Sequence, residues 1–142
     1  MVIWDMNSCC DNFHESYMDP QQFRLPSITW FVMLTRDENF VDMVIDRYRE
    51  LRRTYLSEEY LLSYIDDVVA YLGPAVERNF EVWGYTFEDY RPLNPDSRNP
   101  DSYEEAVEQL KEFCRERGEW MDENIEALCQ YSHPSGNKKY NH

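Results

Sequence analysis

Beyond residue 27, apolar side chains recur at intervals of three and four residues along most of the chain, a period that predicts helices. Ser27 can cap a short helix carrying Ile28, Phe31, Val32 and Leu34, and Asp37 can cap the next one. In that second helix Phe40, Val41, Val44, Ile45, Tyr48, Leu51 and Tyr55 trace one face, while Asp46, Arg47, Arg49, Glu50, Arg52 and Arg53 fill the other, predicting a helix over about 38–53. Ser57, followed by Glu58 and Glu59, starts a longer helix whose stripe runs through Leu61, Leu62, Ile65, Val68, Val69, Leu72, Val76 and Phe80 to about Trp83. Gly84 is placed to end it, and Pro74 should kink it near Gly73 because proline removes a backbone donor and crowds the preceding turn. Ser102 and Glu105 spell a capping box for a last helix, whose face carries Tyr103, Ala106, Val107, Leu110, Phe113, Cys114, Trp120, Met121, Ile125 and Leu128, with Gly118 tolerated inside.

Between these helices the pattern lapses. Val2-Ile3-Trp4 is a short β-prone run ending at Asp5, residues 6–26 are irregular, and the prolines of 85–101 mark a linker. An irregular stretch of about twenty residues in a compact domain is functional or rests on something else. The expected fold is therefore mainly α: a short N-terminal strand and loop followed by about four amphipathic helices, with 1–130 as one unit and 131–142 as a polar tail. The spacing of Trp30, Phe31, Phe40, Tyr48, Phe80, Trp83, Phe113 and Trp120 assigns these aromatics to the core.

Composition narrows the function classes. With 142 residues, 42% hydrophobic and 15% aromatic, the chain should fold as a single domain. A formal charge of -14, from 28 acidic and 14 basic residues, argues against nucleic acid and against anionic membrane surfaces as partners. No run approaches the roughly 18–20 apolar residues of a membrane span, and the first residues lack a signal-like core, so a cytoplasmic location is the default expectation.

The cysteines Cys9, Cys10, Cys114 and Cys129 fit a secreted disulfide framework poorly, two being adjacent and two in helical pattern, so reduced thiols are expected. No zinc-type spacing of cysteine or histidine occurs. Cys9-Cys10 beside Asp11 and His14 reads as an incidental loop pair, since a neighbouring carboxylate disfavours the thiolate. Arg78, flanked by Glu77 and Glu81, reads as a structural ion pair more than an active-site group.

Several phrases carry a resemblance when taken in order: Trp4-Asp5-Met6-Asn7, Trp30-Phe31, Asp37-Glu38-Asn39-Phe40-Val41, Leu56-Ser57-Glu58-Glu59, Arg78-Asn79-Phe80-Glu81-Val82-Trp83 and Ser102-Tyr103-Glu104-Glu105-Ala106-Val107. Leu110-Lys111, Arg115-Glu116-Arg117 and Trp120-Met121 continue the series. From Val2 to about Leu128 the chain resembles the C-terminal portion of the CotH kinase family. The resemblance implies an atypical protein-kinase-like fold and phosphate transfer from ATP to protein hydroxyls, spore coat proteins being the family's known targets. It also implies that Asp5 binds Mg²⁺ near the nucleotide phosphates; the family's second aspartate is here Asn7, whose carbonyl is the weaker ligand for a hard cation.

Phosphoryl transfer further requires a loop over the phosphates, a cation and a base. None is recognisable among these residues, whose four glycines, Gly73, Gly84, Gly118 and Gly136, form no glycine-rich loop. The expectation is a truncated kinase region with no catalytic residue of its own, binding neither ATP nor Mg²⁺ alone, whose partner is the missing kinase half or another protein. The alternative is a helical protein-interaction module without catalysis, and a two-chain phosphotransferase is a third reading.

Overall fold

The structure is a computed structural model that describes residues 10–12, 18–23, 29–84 and 86–134. Among these residues five α-helices follow one another: α1 (Thr29–Leu34), α2 (Glu38–Arg52), α3 (Glu58–Leu72), α4 (Ala75–Trp83) and α5 (Tyr103–Asn124). Two 3₁₀ segments, Asp96–Arg98 and Ile125–Tyr131, complete the regular structure. The only β feature among the described residues is a single parallel bridge between Asp37 and His133. The strand expected at Val2–Trp4 lies outside the described residues.

Capping places three of the helix starts. Asp37 Oδ1 accepts the Phe40 amide at 3.2 Å, Ser57 Oγ accepts that of Tyr60 at 3.2 Å, and Ser102 Oγ accepts that of Glu105 at 3.1 Å. Each bond satisfies a donor that has no partner inside its helix. The capping box closes one residue early, because Glu105 Oε2 accepts the Asp101 amide at 2.7 Å.

The expected kink at Pro74 is a full break. Gly73 caps α3 at φ 44°, a conformation that side chains strain against, and α4 begins only at Ala75, after the proline that lacks an N–H. Gly84 ends α4 in the left-handed region at φ 58°, where glycine is favoured. The last helix is also shorter than its apolar stripe: beyond Asn124 it tightens to 3₁₀, which turns Ile125 and Leu128 onto α2. The chain then returns to the start of α2, where the His133 amide donates to the Arg36 carbonyl at 3.1 Å, so residues 131–133 are tied down where a polar tail was expected.

Val41 and Ile45 of α2 and Ile125 and Leu128 of the 3₁₀ segment form the buried core, with Phe23, Val44, Tyr48 and Met121 packed around it. Two aromatics assigned to the core by spacing are instead exposed, Trp30 at 79% and Trp83 at 77%. Helices α3 and α4 contain no fully buried residue, although α3 lies along α5. Periodicity reports which side of a helix is apolar, and burial needs a neighbour on that side as well. No helix among the described residues is long and apolar enough to cross a membrane.

Candidate functional site

Two prolines bracket the segment Asp96-Ser97-Arg98-Asn99, and its 3₁₀ turn aims Arg98 inward. The Arg98 side chain is only 6% exposed. Its guanidinium grips Asp11 in the fork geometry that arginine favours, Nε to Oδ2 at 3.0 Å and Nη2 to Oδ1 at 2.7 Å. Nη2 also reaches the Asp11 carbonyl at 3.1 Å, and Nη1 reaches that of Asn94 at 2.7 Å. Burying a guanidinium costs several kcal/mol unless charge and hydrogen bonds compensate, on the order of magnitude general for buried ions; here both do.

Asp11 holds more than the arginine. Its Oδ1 accepts the Met18 amide at 2.6 Å, and its own backbone sits at φ 59°, a left-handed conformation that aspartate tolerates better than most residues. Nearby, Asn99 is 5% exposed and pairs with Leu93 like a short strand, donating Nδ2 to the Leu93 carbonyl and accepting its amide on Oδ1, both at 2.8 Å. Arg91 bridges Asp96 and Asp101 at 2.7 and 2.5 Å, and these carboxylates, Asp96 foremost, hold its guanidinium above the ordinary arginine value.

From the other side Arg117 of α5 donates to the carbonyls of Pro20, at 3.0 Å, and Gln22. It also lies 5.5 Å from the Trp120 ring centre, and Phe23 meets the same ring edge-on at 4.8 Å. The described residues of this N-terminal stretch, 10–12 and 18–23, are thus stapled to the helical body at Asp11 and again at 20–23. Beside the Arg98 clamp a groove of about 940 Å³ opens between this stretch, the 86–101 loop and α5, with Met18, Phe87, Tyr90, Leu93 and Phe113 on its walls.

A second polar cluster knots α2 to α5. The Tyr48 hydroxyl donates to Asp122 Oδ1 at 2.7 Å, while Arg52 Nε and Nη2 reach the same carboxylate at 2.9 and 2.8 Å. Burial, reinforced by the Asp122 hydrogen bond, holds the Tyr48 phenol protonated well above its ordinary range. The hydrogen bonds from Arg52 hold Asp122 below the usual carboxylate range. A phenol so stabilised gives up its proton poorly and serves as a hydrogen-bond donor to Asp122. An adjacent hollow of about 410 Å³ is lined by Arg49, Arg52 and Arg53, yet Glu126 already engages Arg49 and Asp122 engages Arg52, so the cluster serves cohesion. Arg52 passes so close to Gly118 that a Cβ there would stand 2.9 Å from Nη2, which explains the glycine inside α5.

The residues singled out in the sequence distribute unevenly. Asp5 and Asn7, the implied Mg²⁺ ligands, lie outside the described residues, as do Cys9 and His14. Among the described residues no group of three or more His, Cys, Asp or Glu side chains is disposed to hold a metal ion. Cys10 lines the groove, and Cys129 is exposed on the 3₁₀ segment after α5. Arg78 is exposed on α4 and makes no ion pair with a described residue, so the expected pairing with Glu77 or Glu81 is absent. Arg98, Asn99 and Asp11 were missed, because a Pro- and Asp-rich stretch reads as a solvated linker. One available signal was Arg98 itself, a cation within a short turn bounded by two prolines.

Comparison with curated proteins finds no match, and comparison with solved structures finds none. The sequence profile described as CotH kinase protein matches residues 1–121, which takes in the clamped N-terminal stretch, the 86–101 loop and all of α5 but its last turn. The chain belongs to the CotH kinase family.

Proposed function

We propose that this chain is the C-terminal, helical portion of a CotH-type kinase, working in ATP-dependent phosphorylation of protein hydroxyls, with spore coat proteins as the acceptor class. In this reading Asp5 and Asn7 hold Mg²⁺ and a separate half supplies the groups that bind nucleotide. The Arg98–Asp11 clamp is the observation that supports it most. A buried ion pair joins positions 87 residues apart, and it anchors the chain only six residues from Asp5, a tether of at most about 20 Å. In this reading the described residues are a platform for the segment that carries the implied metal ligands. How the glycines are used supports the division of labour: Gly73 and Gly84 terminate helices and Gly118 makes room for Arg52.

The test follows transfer of labelled γ-phosphate from Mg²⁺-ATP to a serine-containing protein acceptor. The chain alone should give no transfer above background. Supplied with the nucleotide-binding half of a CotH-family kinase it should gain transfer, and Asp5→Ala should abolish that gain. Transfer by the unaccompanied chain, or transfer that survives Asp5→Ala, refutes the assignment.

A further inference from the structure

Helix α3 has a second stripe that its aliphatic side conceals in the sequence. Tyr60, Tyr64, Asp67 and Tyr71 follow one another at intervals of four, three and four, which aligns them along one face. All four are exposed, Tyr71 to 89%. The rings are ordered against one another: Tyr60 and Tyr64 are stacked with centres 6.2 Å apart at 10°, and Tyr55 meets Tyr60 edge-on at 5.5 Å. A hollow of about 500 Å³ lies at the N-terminal end of the stripe, walled by Tyr55, Tyr60, Glu59 and Ser63.

The charge along this helix is one-sided. Its sequence contains Glu58, Glu59, Asp66 and Asp67 and no lysine or arginine. Glu58 pairs with Arg115 and Asp66 with Lys111 on the α5 side, while Glu59 and Asp67 make no ion pair with a described residue and flank the tyrosines. Exposed aromatic faces attract cations, most of all beside a carboxylate. A second copy of the chain would bring another charge of -14 to an already acidic surface, and an anionic membrane would be repelled in the same way.

We propose that the Tyr60–Tyr64–Asp67–Tyr71 stripe of α3 is a docking surface for an extended, lysine- and arginine-rich protein segment. Cationic side chains lie over the tyrosine faces, and Glu59 and Asp67 meet them at the edges. Alternate residues of an extended chain project to one side about 6.6 Å apart, which matches the 6.2 Å between the Tyr60 and Tyr64 rings. The spacing therefore favours basic residues at every second position. This surface is independent of the phosphotransfer reading, since it uses neither Asp5 nor a nucleotide.

The experiment titrates the full chain with a ten-residue peptide of alternating arginine and glycine, and with its alternating glutamate–glycine counterpart, by calorimetry at two salt concentrations. The arginine peptide should bind, more weakly at high salt, and the glutamate peptide should not. Tyr64→Ala should weaken binding about fivefold, and Tyr60→Phe should change it less than about twofold, because a phenyl face keeps the attraction. Glu59→Gln should weaken binding and flatten the salt dependence. Circular dichroism of each variant separates loss of the surface from loss of the helix. Equal binding of both peptides overturns the proposal. So does unchanged affinity in a folded Tyr60→Ala/Tyr64→Ala variant, or tyrosine-dependent capture by phosphatidylserine vesicles with no binding of the arginine peptide.

Discussion

Helices α2 and α3 are equal in length, 15 residues each, and both start from a side-chain cap, yet they end in different surroundings. Helix α2 buries Val41 and Ile45 because the 3₁₀ segment Ile125–Tyr131 folds across its apolar face, and α3 buries nothing completely because α5 covers only one side of it. The ties to α5 differ in the same sense. A half-buried knot of Tyr48, Arg52 and Asp122 holds α2, whereas α3 relies on Lys111–Asp66 and Arg115–Glu58, whose acidic partners are open to water. Forming a helix and burying it are thus separate events, the first decided by local hydrogen bonds and the second by which distant segment comes to cover it.

The widest gap between the two helices should appear in their cores. Ile45→Ala removes atoms from a closed apolar cluster and should cost about 3 kcal/mol, while Val69→Ala on the partly covered face of α3 should cost about 1 kcal/mol. Urea denaturation of both variants measures the contrast, and equal losses would erase it.

Next in size is the knot on α2. Asp122→Asn should cost about 1 kcal/mol at neutral pH, a modest figure because the carboxylate is partly solvated. Arg52 holds the Asp122 pKa below its unfolded value, so its contribution is complete above that unfolded value, about 3.9, and fades as pH falls through the lower folded one. Melting temperatures of wild type and Asp122→Asn should therefore converge under acid and separate above about pH 4. A constant offset across that range would remove Arg52 as the cause.

Gly118→Ala sharpens the same region. Alanine favours a helix interior by about 1 kcal/mol over glycine, but here its Cβ would press on the Arg52 guanidinium that Asp122 holds in place. The substitution should be neutral or harmful in the wild type and stabilising by about 1 kcal/mol once Arg52→Ala has cleared the space. The smallest effect belongs to α3: Lys111→Met should cost no more than about 0.5 kcal/mol, since its partners Asp66 and Glu108 stay hydrated.

The candidate site repeats the lesson in polar form. Asp37, Ser57 and Ser102 were legible as caps because each acts on an amide three residues away. The clamps that shape the site bridge 87 residues from Asp11 to Arg98 and 97 from Pro20 to Arg117, and no local pattern announces such pairs. Arg52 shows the cost of reading only locally: its position on the charged side of α2 suggests solvent, and Asp122 draws it against α5.

By itself the sequence determined where the helices begin, which side of each is apolar, the acidic balance and, through phrases in a particular order, the CotH kinase family. Only the tertiary structure decided which apolar faces are covered, that Gly73 and Pro74 break a helix in two, and that an apparent linker holds the N-terminal stretch through a buried arginine. Caps and periods act over one or two turns, while burial and charge pairing depend on where remote parts of the chain meet.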